Sequence, residues 1–336
     1  MLKIEEKILY PKTIIKRGFP KNYSGANKKI FRNEISRQIP EISIKVIFNC
    51  FFDYDEYLFT KSKILEESYF RRDWRKKTSI FMKLIILLSP IHKKVKKVEN
   101  SFFIIDLWST GYFHWFGDVI HKYFMLKESN YKGKVLIPEK FKKINFVVES
   151  LEFFSIPHIF IKKNELAFSN KLYLLPYKLI SGNYLENTTL AINKTVNFPK
   201  TTAEKIIYVS RSKAKYRKVV NELELIKVLK KHGVEIYNFD KMSLIEQITI
   251  AKKTKLFISM HGAALTNMLF MNKSQNILEI RHPNSDLQNC YFSLASALKH
   301  NYFYFLGSPI NKESDPHDEN LKIDVDLFEN LLKSIL

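Results

Sequence analysis

The run Met260-His-Gly-Ala-Ala-Leu-Thr-Asn-Met-Leu-Phe270 sets a histidine and a small-residue turn between two hydrophobic segments. Lys255-Leu-Phe-Ile-Ser-Met260 reads as a buried strand and residues 263–270 read as a helix. Gly262 lets another molecule approach the backbone. The unpaired N–H groups of the turn that follows, through Ala263, Ala264, Leu265, Thr266 and Asn267, would point at whatever arrives there. A diphosphate suits such a cradle, and His261 can add a hydrogen bond or, if protonated, a charge. The same shape also serves packing alone in any α/β protein, so its neighbours must decide. Upstream, Ile206-Ile-Tyr-Val-Ser-Arg-Ser-Lys-Ala-Lys-Tyr-Arg-Lys-Val-Val-Asn-Glu222 is a second strand-like run that ends in cations. Ser210 and Arg211 sit where it leaves its sheet. Arg217 and Lys218 precede a helix marked by Asn221 as N-cap, with Glu222 and Glu224 in the first turn. Open α/β sheets bind ligands beyond the carboxyl ends of their strands, so Arg211, Arg217 and His261 should converge on a phosphorylated ligand.

The elements that must position these groups alternate between strand and helix, the pattern of a parallel sheet. In the carboxyl-terminal half the expected order is strand 206–210, helix 221–232, strand 234–238, helix 243–252, strand 255–260, helix 263–271, strand 276–281, helix 287–299 and strand 301–305, with a last helix over 325–335. The amino-terminal half shows strand-like alternation at 42–48 and helix-like sequence over 61–85. Strands follow at 101–107, 134–138, 157–161 and 171–176, with helices through Lys127 and near 144–154. The polar stretches 181–189 and 199–202 bracket the connection between halves. This predicts a basic extension over 1–100, part of or packed on the first domain, then domains over 101–198 and 199–320, and a helix at 321–336 that packs back on the first domain.

Composition fits two domains. The 336 residues are 46% hydrophobic, ample for two cores. Cys50 and Cys290 are the only cysteines, which argues against a disulfide framework and for a reducing, cytoplasmic setting. Glu5 and Glu6 interrupt the amino terminus, so no signal peptide is expected. The apolar run 80–91 carries Lys83 and falls short of the roughly 20 residues of a spanning helix. The net charge is +21, of which +12 falls within residues 1–100. Lysine-rich usage on a solvated face is one reading of it. The basic segment His92-Lys-Lys-Val-Lys-Lys97 beside the apolar run also suits an anionic membrane surface, the inner face of the cytoplasmic membrane. Nucleic acid is a third partner class for a basic chain with 17 Tyr and 27 Phe, but no motif supports it.

The segment Tyr208 to Glu279 resembles glycosyltransferase family 61, whose bacterial members make capsules and other surface polysaccharides. The likeness rests on Ser210-Arg211, Tyr216-Arg-x-Val-x-Asn-Glu222, Glu246-Gln247, His261-Gly-Ala-x-Leu-Thr-Asn267 and Ile277-Leu-Glu279. Gly111-Tyr-Phe-His-Trp-Phe-Gly-Asp118 is similar to that family's amino-terminal Tyr-x-His-Trp-x-x-Asp pattern, while residues 1–100 match nothing recognisable. The resemblance implies a GT-B-like α/β fold of two Rossmann-like, doubly wound domains facing a central crevice. It also implies an inverting reaction with a nucleotide-sugar donor and a saccharide or lipid-linked saccharide acceptor.

Such a transfer needs a general base for the acceptor hydroxyl and charge stabilisation for the departing diphosphate. Arg211, Arg217 and the 262–266 backbone, with His261, suit the leaving group. Asn221 and Glu222 either brace this site or touch the donor. Glu279 either accepts hydrogen bonds from ribose hydroxyls or is a solvent-facing strand-end carboxylate. Asp118 is the expected base and His114 its rival, with a packed role beside Trp115 as the alternative for the histidine. No metal or other cofactor is expected. Asp53-Tyr-Asp55 and Asp324-Val-Asp326 have the Asp-x-Asp spacing of some metal-dependent transferases, but they lie outside the site segments and read as turns or caps. The competing functions are a nucleotide- or dinucleotide-binding oxidoreductase and a non-catalytic basic membrane-surface module. The first lacks a Gly-x-Gly-x-x-Gly turn in a chain with 9 glycines. Intact Arg211, His261 and Asp118 count against the second.

Overall fold

A computed structural model describes residues 3–66, 79–175, 181–196, 201–284, 289–311, 313 and 315–336. The chain divides into two compact units, one of Met1–Thr13 with Ile39–Ser181 and one of Ile14–Gln38 with Gly182–Leu336. Both are mixed α/β, with parallel strand pairing in each.

The first unit is built on a seven-stranded sheet. Its order is Ile4–Tyr10, Ile42–Asp53, Glu165–Leu174, Lys94–Phe103, Lys134–Pro138 and His158–Ile161, with Leu58–Phe59 paired to Ile42–Asp53. Alternation of β-strand and helix predicts parallel strands throughout. Here the sheet is mixed, because Ile42–Asp53 runs antiparallel to both of its long neighbours. Strand Lys94–Phe103 stops earlier than the 101–107 expectation, since Asp106 turns the chain: its carboxylate accepts the Trp108 N–H at 2.8 Å. The helix expected over 61–85 is found at Ile80–His92, and residues 67–78 lie outside those described.

The second unit holds a five-stranded, all-parallel sheet in the order Glu235–Tyr237, Lys205–Val209, Thr254–Met260, Asn276–Arg281, Asn301–Leu306. Numbered along the chain this is 2-1-3-4-5. Its strands are near-continuous apolar runs because both faces are covered. On one face Tyr208, Ile258, Leu278 and Ile280 share a core with Leu225 and Leu229 of helix Glu222–Lys231 and with Phe328 and Leu332 of helix Val325–Ile335. The last helix thus closes the core of its own unit. On the other face Phe292 of helix Cys290–Ala297 packs on Tyr302, ring centroids 5.2 Å apart. Segment 14–38 is stitched to the same unit. Buried Arg17 bonds to Glu34 and, at 2.8 Å, to Ser293 Oγ, while Asn22 donates to the Tyr304 carbonyl at 2.7 Å.

Candidate functional site

The strand order places a topological switch point between Lys205–Val209 and Thr254–Met260, where ligands of doubly wound sheets bind. Register fixes what meets there. Val209 pairs with Ser259, Ser259 with Glu279, and Glu279 with Tyr304, so the strand ends are level. Ser259 Oγ donates to the Val209 carbonyl at 2.9 Å and ties the two central ends together. Ser210-Arg211 and His261-Gly262 therefore leave the sheet side by side.

Arg211 lies across Gly262. A Cβ on that glycine would stand 2.0 Å from Arg211 Nη1 and 2.5 Å from its Cζ, which is the physical reason for a glycine there. Arg211 Nε donates to the Arg217 carbonyl at 3.1 Å and Nη2 to the Tyr216 carbonyl at 3.3 Å. Arg217 occupies the left-handed region at φ 57°, a conformation costing on the order of 1 kcal/mol for a non-glycine residue. Its Nε is buried without a hydrogen-bond partner. Burial, and then the neighbouring Arg217, push the Arg211 guanidinium below its ordinary value. Two guanidinium charges thus stand together with no carboxylate hydrogen-bonded to either among the described residues. Like charges repel in this way unless an anion lies between them.

Behind them runs a buried chain of polar groups. The His261 Nδ1–H donates to Glu279 Oε1, the Tyr302 hydroxyl donates to Glu279 Oε2, and Arg281 Nη1 donates to the Tyr302 hydroxyl at 3.2 Å. Burial lowers the His261 ring, Arg217 and Arg281 lower it further, and Glu279 opposes them without reversing the shift. Burial works to raise the Glu279 carboxyl, but His261 and then Arg281 and Tyr302 outweigh it and hold it below the ordinary range. The pair is therefore neutral imidazole against carboxylate, with Nε2 as the lone-pair nitrogen. His261 is therefore not a standing cation.

The turn after Gly262 is a 3-10 helix over Ala263–Phe270 where the sequence predicts an α-helix. Leu265 N–H closes back on the Gly262 carbonyl at 3.0 Å, the tighter winding. Ala263 and Ala264 are partly accessible, whereas Leu265, Thr266 and Asn267 are fully buried. The Asn267 amide donates to Gln247 Oε1 and to the Ala264 carbonyl, both at 3.1 Å, and so holds the turn's shape. Asn221 stands at the N-cap position without a capping bond. Its side chain instead accepts from Ile323 N–H and donates to Ile323 O, both at 2.9 Å. Glu222 accepts the Tyr208 hydroxyl at 2.7 Å. Both brace the unit. Ser210 is partly buried, and its Oγ accepts the Ser212 N–H at 3.1 Å, shaping the turn before Arg217. Glu279 is fully buried with protein donors on both oxygens, so it is no solvent-facing strand-end carboxylate.

A second cluster stands in the first unit. Tyr112–His114 opens a helix that continues as a π-helix over Trp115–Ile120, a winding frequent at functional sites. His114 Nδ1 and Asp118 Oδ2 are 2.7 Å apart, and Ser181 Oγ donates to both Asp118 oxygens at 2.8 and 2.9 Å. The two rivals for the base are thus one hydrogen-bonded pair. Asp118 is 1% exposed, while the His114 side chain is 26% exposed. A carboxylate can only accept, so Nδ1 carries the proton of this hydrogen bond. Trp115 is the packed residue of the motif: it is fully buried and its indole donates to Ser150 Oγ at 2.7 Å. Trp108, half exposed, lies 5.7 Å from the His114 ring.

Sequence reasoning missed Ser181, Tyr302, Arg281 and Trp108. Ser181 and Tyr302 act only through contacts far along the chain, which no local pattern signals. The Asp-x-Asp pairs do local work. Asp53 accepts the Tyr57 N–H at 2.8 Å in a turn, and Asp324 caps the last helix by accepting the Leu327 N–H at 3.0 Å. Among the described residues no cluster of three or more His, Cys, Asp or Glu side chains is placed to hold a metal ion.

The family model described as Glycosyltransferase 61 matches residues 112–278. The EGF domain-specific O-linked N-acetylglucosamine transferase of Drosophila melanogaster is 37% identical over 94 residues, 27% of this chain and 18% of the fly protein. The proteins of that name from Canis lupus familiaris and Mus musculus are 33% and 32% identical over 109 residues, 31% of this chain and 20% of theirs. The matched stretch thus spans about a fifth of these relatives' length. The matched residues take in His114 and Asp118 in the first unit and Arg211, Arg217, His261 and Gly262 in the second. Over residues 112–278, the chain belongs to the glycosyltransferase 61 family.

Proposed function

We propose that the chain is an inverting, nucleotide-sugar-dependent glycosyltransferase of GT-B-like build that works without a metal. The observation that carries this reading is the pair of arginines at the switch point, Arg211 across Gly262 and Arg217 with an unpartnered buried Nε. They receive the diphosphate of the donor, with the Ala263 and Ala264 amides adding neutral donors. His114 is the base. Its Nε2 takes the proton of an acceptor hydroxyl as that oxygen bonds to the anomeric carbon with inversion, and the bond from carbon to phosphate oxygen breaks. Asp118 and Ser181 hold the imidazole in the required tautomer and stabilise the imidazolium it becomes. The negative charge released on the diphosphate falls to Arg211 and Arg217. An anion at this place also favours protonation of His261, which then donates from Nε2. Trp108 offers a flat apolar face for a sugar ring beside His114.

The acceptor follows from two lines of support. The sequence resemblance favours a saccharide or lipid-linked saccharide in capsular or other surface polysaccharide synthesis in a bacterial cytoplasm. The names of the animal relatives favour a second reading, an O-linked N-acetylglucosamine transfer to a protein hydroxyl. The donor site is tested by calorimetry with nucleoside diphosphates on wild type, Arg211→Ala and Arg217→Ala. A charge-assisted hydrogen bond contributes about 1.5–3 kcal/mol, so each variant should bind roughly tenfold to a hundredfold more weakly. Unchanged affinity in both would remove the assignment. Offering free oligosaccharides against a folded EGF domain then separates the two acceptors.

A further inference from the structure

Helix Ile80–His92 takes no part in the chemistry proposed above and carries a surface of a different kind. Its start is fixed by Ser79, whose Oγ accepts the Met82 N–H at 3.2 Å. One side is anchored, with Ile86 and Leu87 packed against Phe51, Tyr57, Phe59 and Leu166. On the other side Ile80, Leu84, Leu88 and Ile91 recur at helical spacing, with Phe81 and Ile85 beside them, and all six are exposed. Ile80 and Ile91 reach 79% and 82%. A surface helix ordinarily turns its apolar stripe to the core. A contiguous stripe of this size facing outward marks an interaction surface.

The charge around it selects the partner. Between residues 79 and 97 the sequence holds five Lys and no Asp or Glu. Lys83 lies within the helix and Lys93, Lys94 and Lys97 follow it directly, Lys94 and Lys97 exposed. Of the five, Lys96 is engaged by Glu165 at 2.6 Å. The helix has 13 residues, too few for the roughly 20 of a spanning segment, and among the described residues no helix is long and apolar enough to cross a membrane. An apolar face bordered by cations on a helix of this length lies in the plane of an anionic bilayer.

We propose that helix Ile80–His92 is a membrane-surface anchor that beds its exposed apolar face among the headgroups and upper acyl chains of an anionic bilayer while the flanking lysines meet the lipid phosphates. The proposal is independent of the transferase reading and stands or falls on lipid binding alone. The full chain is sedimented with phosphatidylcholine vesicles with and without phosphatidylglycerol, as wild type, as Phe81→Ser/Ile91→Ser and as Lys94→Ala/Lys97→Ala. Circular dichroism and thermal unfolding check that each variant is folded, as the exposure of all four positions predicts. Wild type should bind the anionic vesicles and bind neutral ones far less. At about 1 kcal/mol per cation, the double lysine variant should lose about thirtyfold in partitioning, and the double apolar variant should lose binding altogether. Equal binding to both vesicle types, or retained binding by Phe81→Ser/Ile91→Ser, overturns the proposal. So does a wild-type dimer that ignores vesicles and becomes monomeric with Phe81→Ser/Ile91→Ser, which would make the face an interface between copies of this chain.

Discussion

Adding one methyl group at Gly262 should disable the proposed nucleotide site and leave the fold standing. The glycine's φ of 169° is extended backbone open to any residue, so alanine there brings no backbone strain. Its Cβ would meet Arg211 Nη1 at 2.0 Å and Cζ at 2.5 Å, far inside van der Waals contact. The obstructing atoms are the far end of a flexible side chain, so the guanidinium swings away and the clash is relieved. What is lost is position: the bonds of Arg211 to the Arg217 and Tyr216 carbonyls break and one charge leaves the cradle. Losing two protein hydrogen bonds at about 0.5–1.5 kcal/mol each lowers stability modestly. Losing one charge-assisted contact to a diphosphate costs about 1.5–3 kcal/mol of affinity, roughly tenfold to a hundredfold in Kd. Calorimetric titration with a panel of nucleoside diphosphates, beside a thermal melt, reads both. Because Gly262→Ala acts through Arg211, the double variant Gly262→Ala/Arg211→Ala should bind no more weakly than Arg211→Ala alone. Additive losses, or a folded Gly262→Ala protein with wild-type affinity, would refute the reasoning.

Three further outcomes are expected. His114→Ala should slow transfer by about 10²–10⁴ with donor affinity retained, Asp118→Asn should slow it through the wrong tautomer, and the double variant should be no worse than His114→Ala. A near-normal His114→Ala beside an inactive Asp118→Asn would make Asp118 the base. Transfer should persist in a chelator, and its loss with rescue by manganese would reopen the Asp53-x-Asp55 and Asp324-x-Asp326 pairs. For pH, burial holds His121 and His300 at about 4 in the folded chain, against about 6.5 unfolded. The unfolded state binds more protons across that interval, so stability rises with pH through it and is lost as pH falls from about 6.5 toward 4. Melting curves over that range should show the slope, and His121→Asn should flatten part of it; an unchanged slope contradicts the assignment.

The second unit was largely legible because its strands are continuous apolar runs whose limits are set locally. Strand Asn276–Arg281 agrees residue for residue, and Lys205–Val209 and Thr254–Met260 agree to within one residue at each end. The winding of Ala263–Phe270 was not legible, since composition does not separate a 3-10 from an α-helix. Nor was the antiparallel pairing of Ile42–Asp53, which long-range partners decide. In the site, charged residues just beyond the strand ends made it legible that Arg211, Arg217 and His261 come together at one edge of the sheet. Roles that depend on depth were hidden. Glu279 reads as a strand-end carboxylate until Tyr302 and His261 are seen on its oxygens. Asp118 and His114 read as rivals until 2.7 Å makes them partners.

The most direct test of the central claim is a screen of nucleotide sugars for hydrolysis in the absence of acceptor, run on wild type and Arg217→Ala. One nucleotide sugar should be cleaved with release of its nucleoside diphosphate, and Arg217→Ala should lose that turnover while remaining folded. If no nucleotide sugar is bound or cleaved, while a dinucleotide such as NAD stabilises the chain, the switch-point cradle serves another ligand and the transferase account is contradicted.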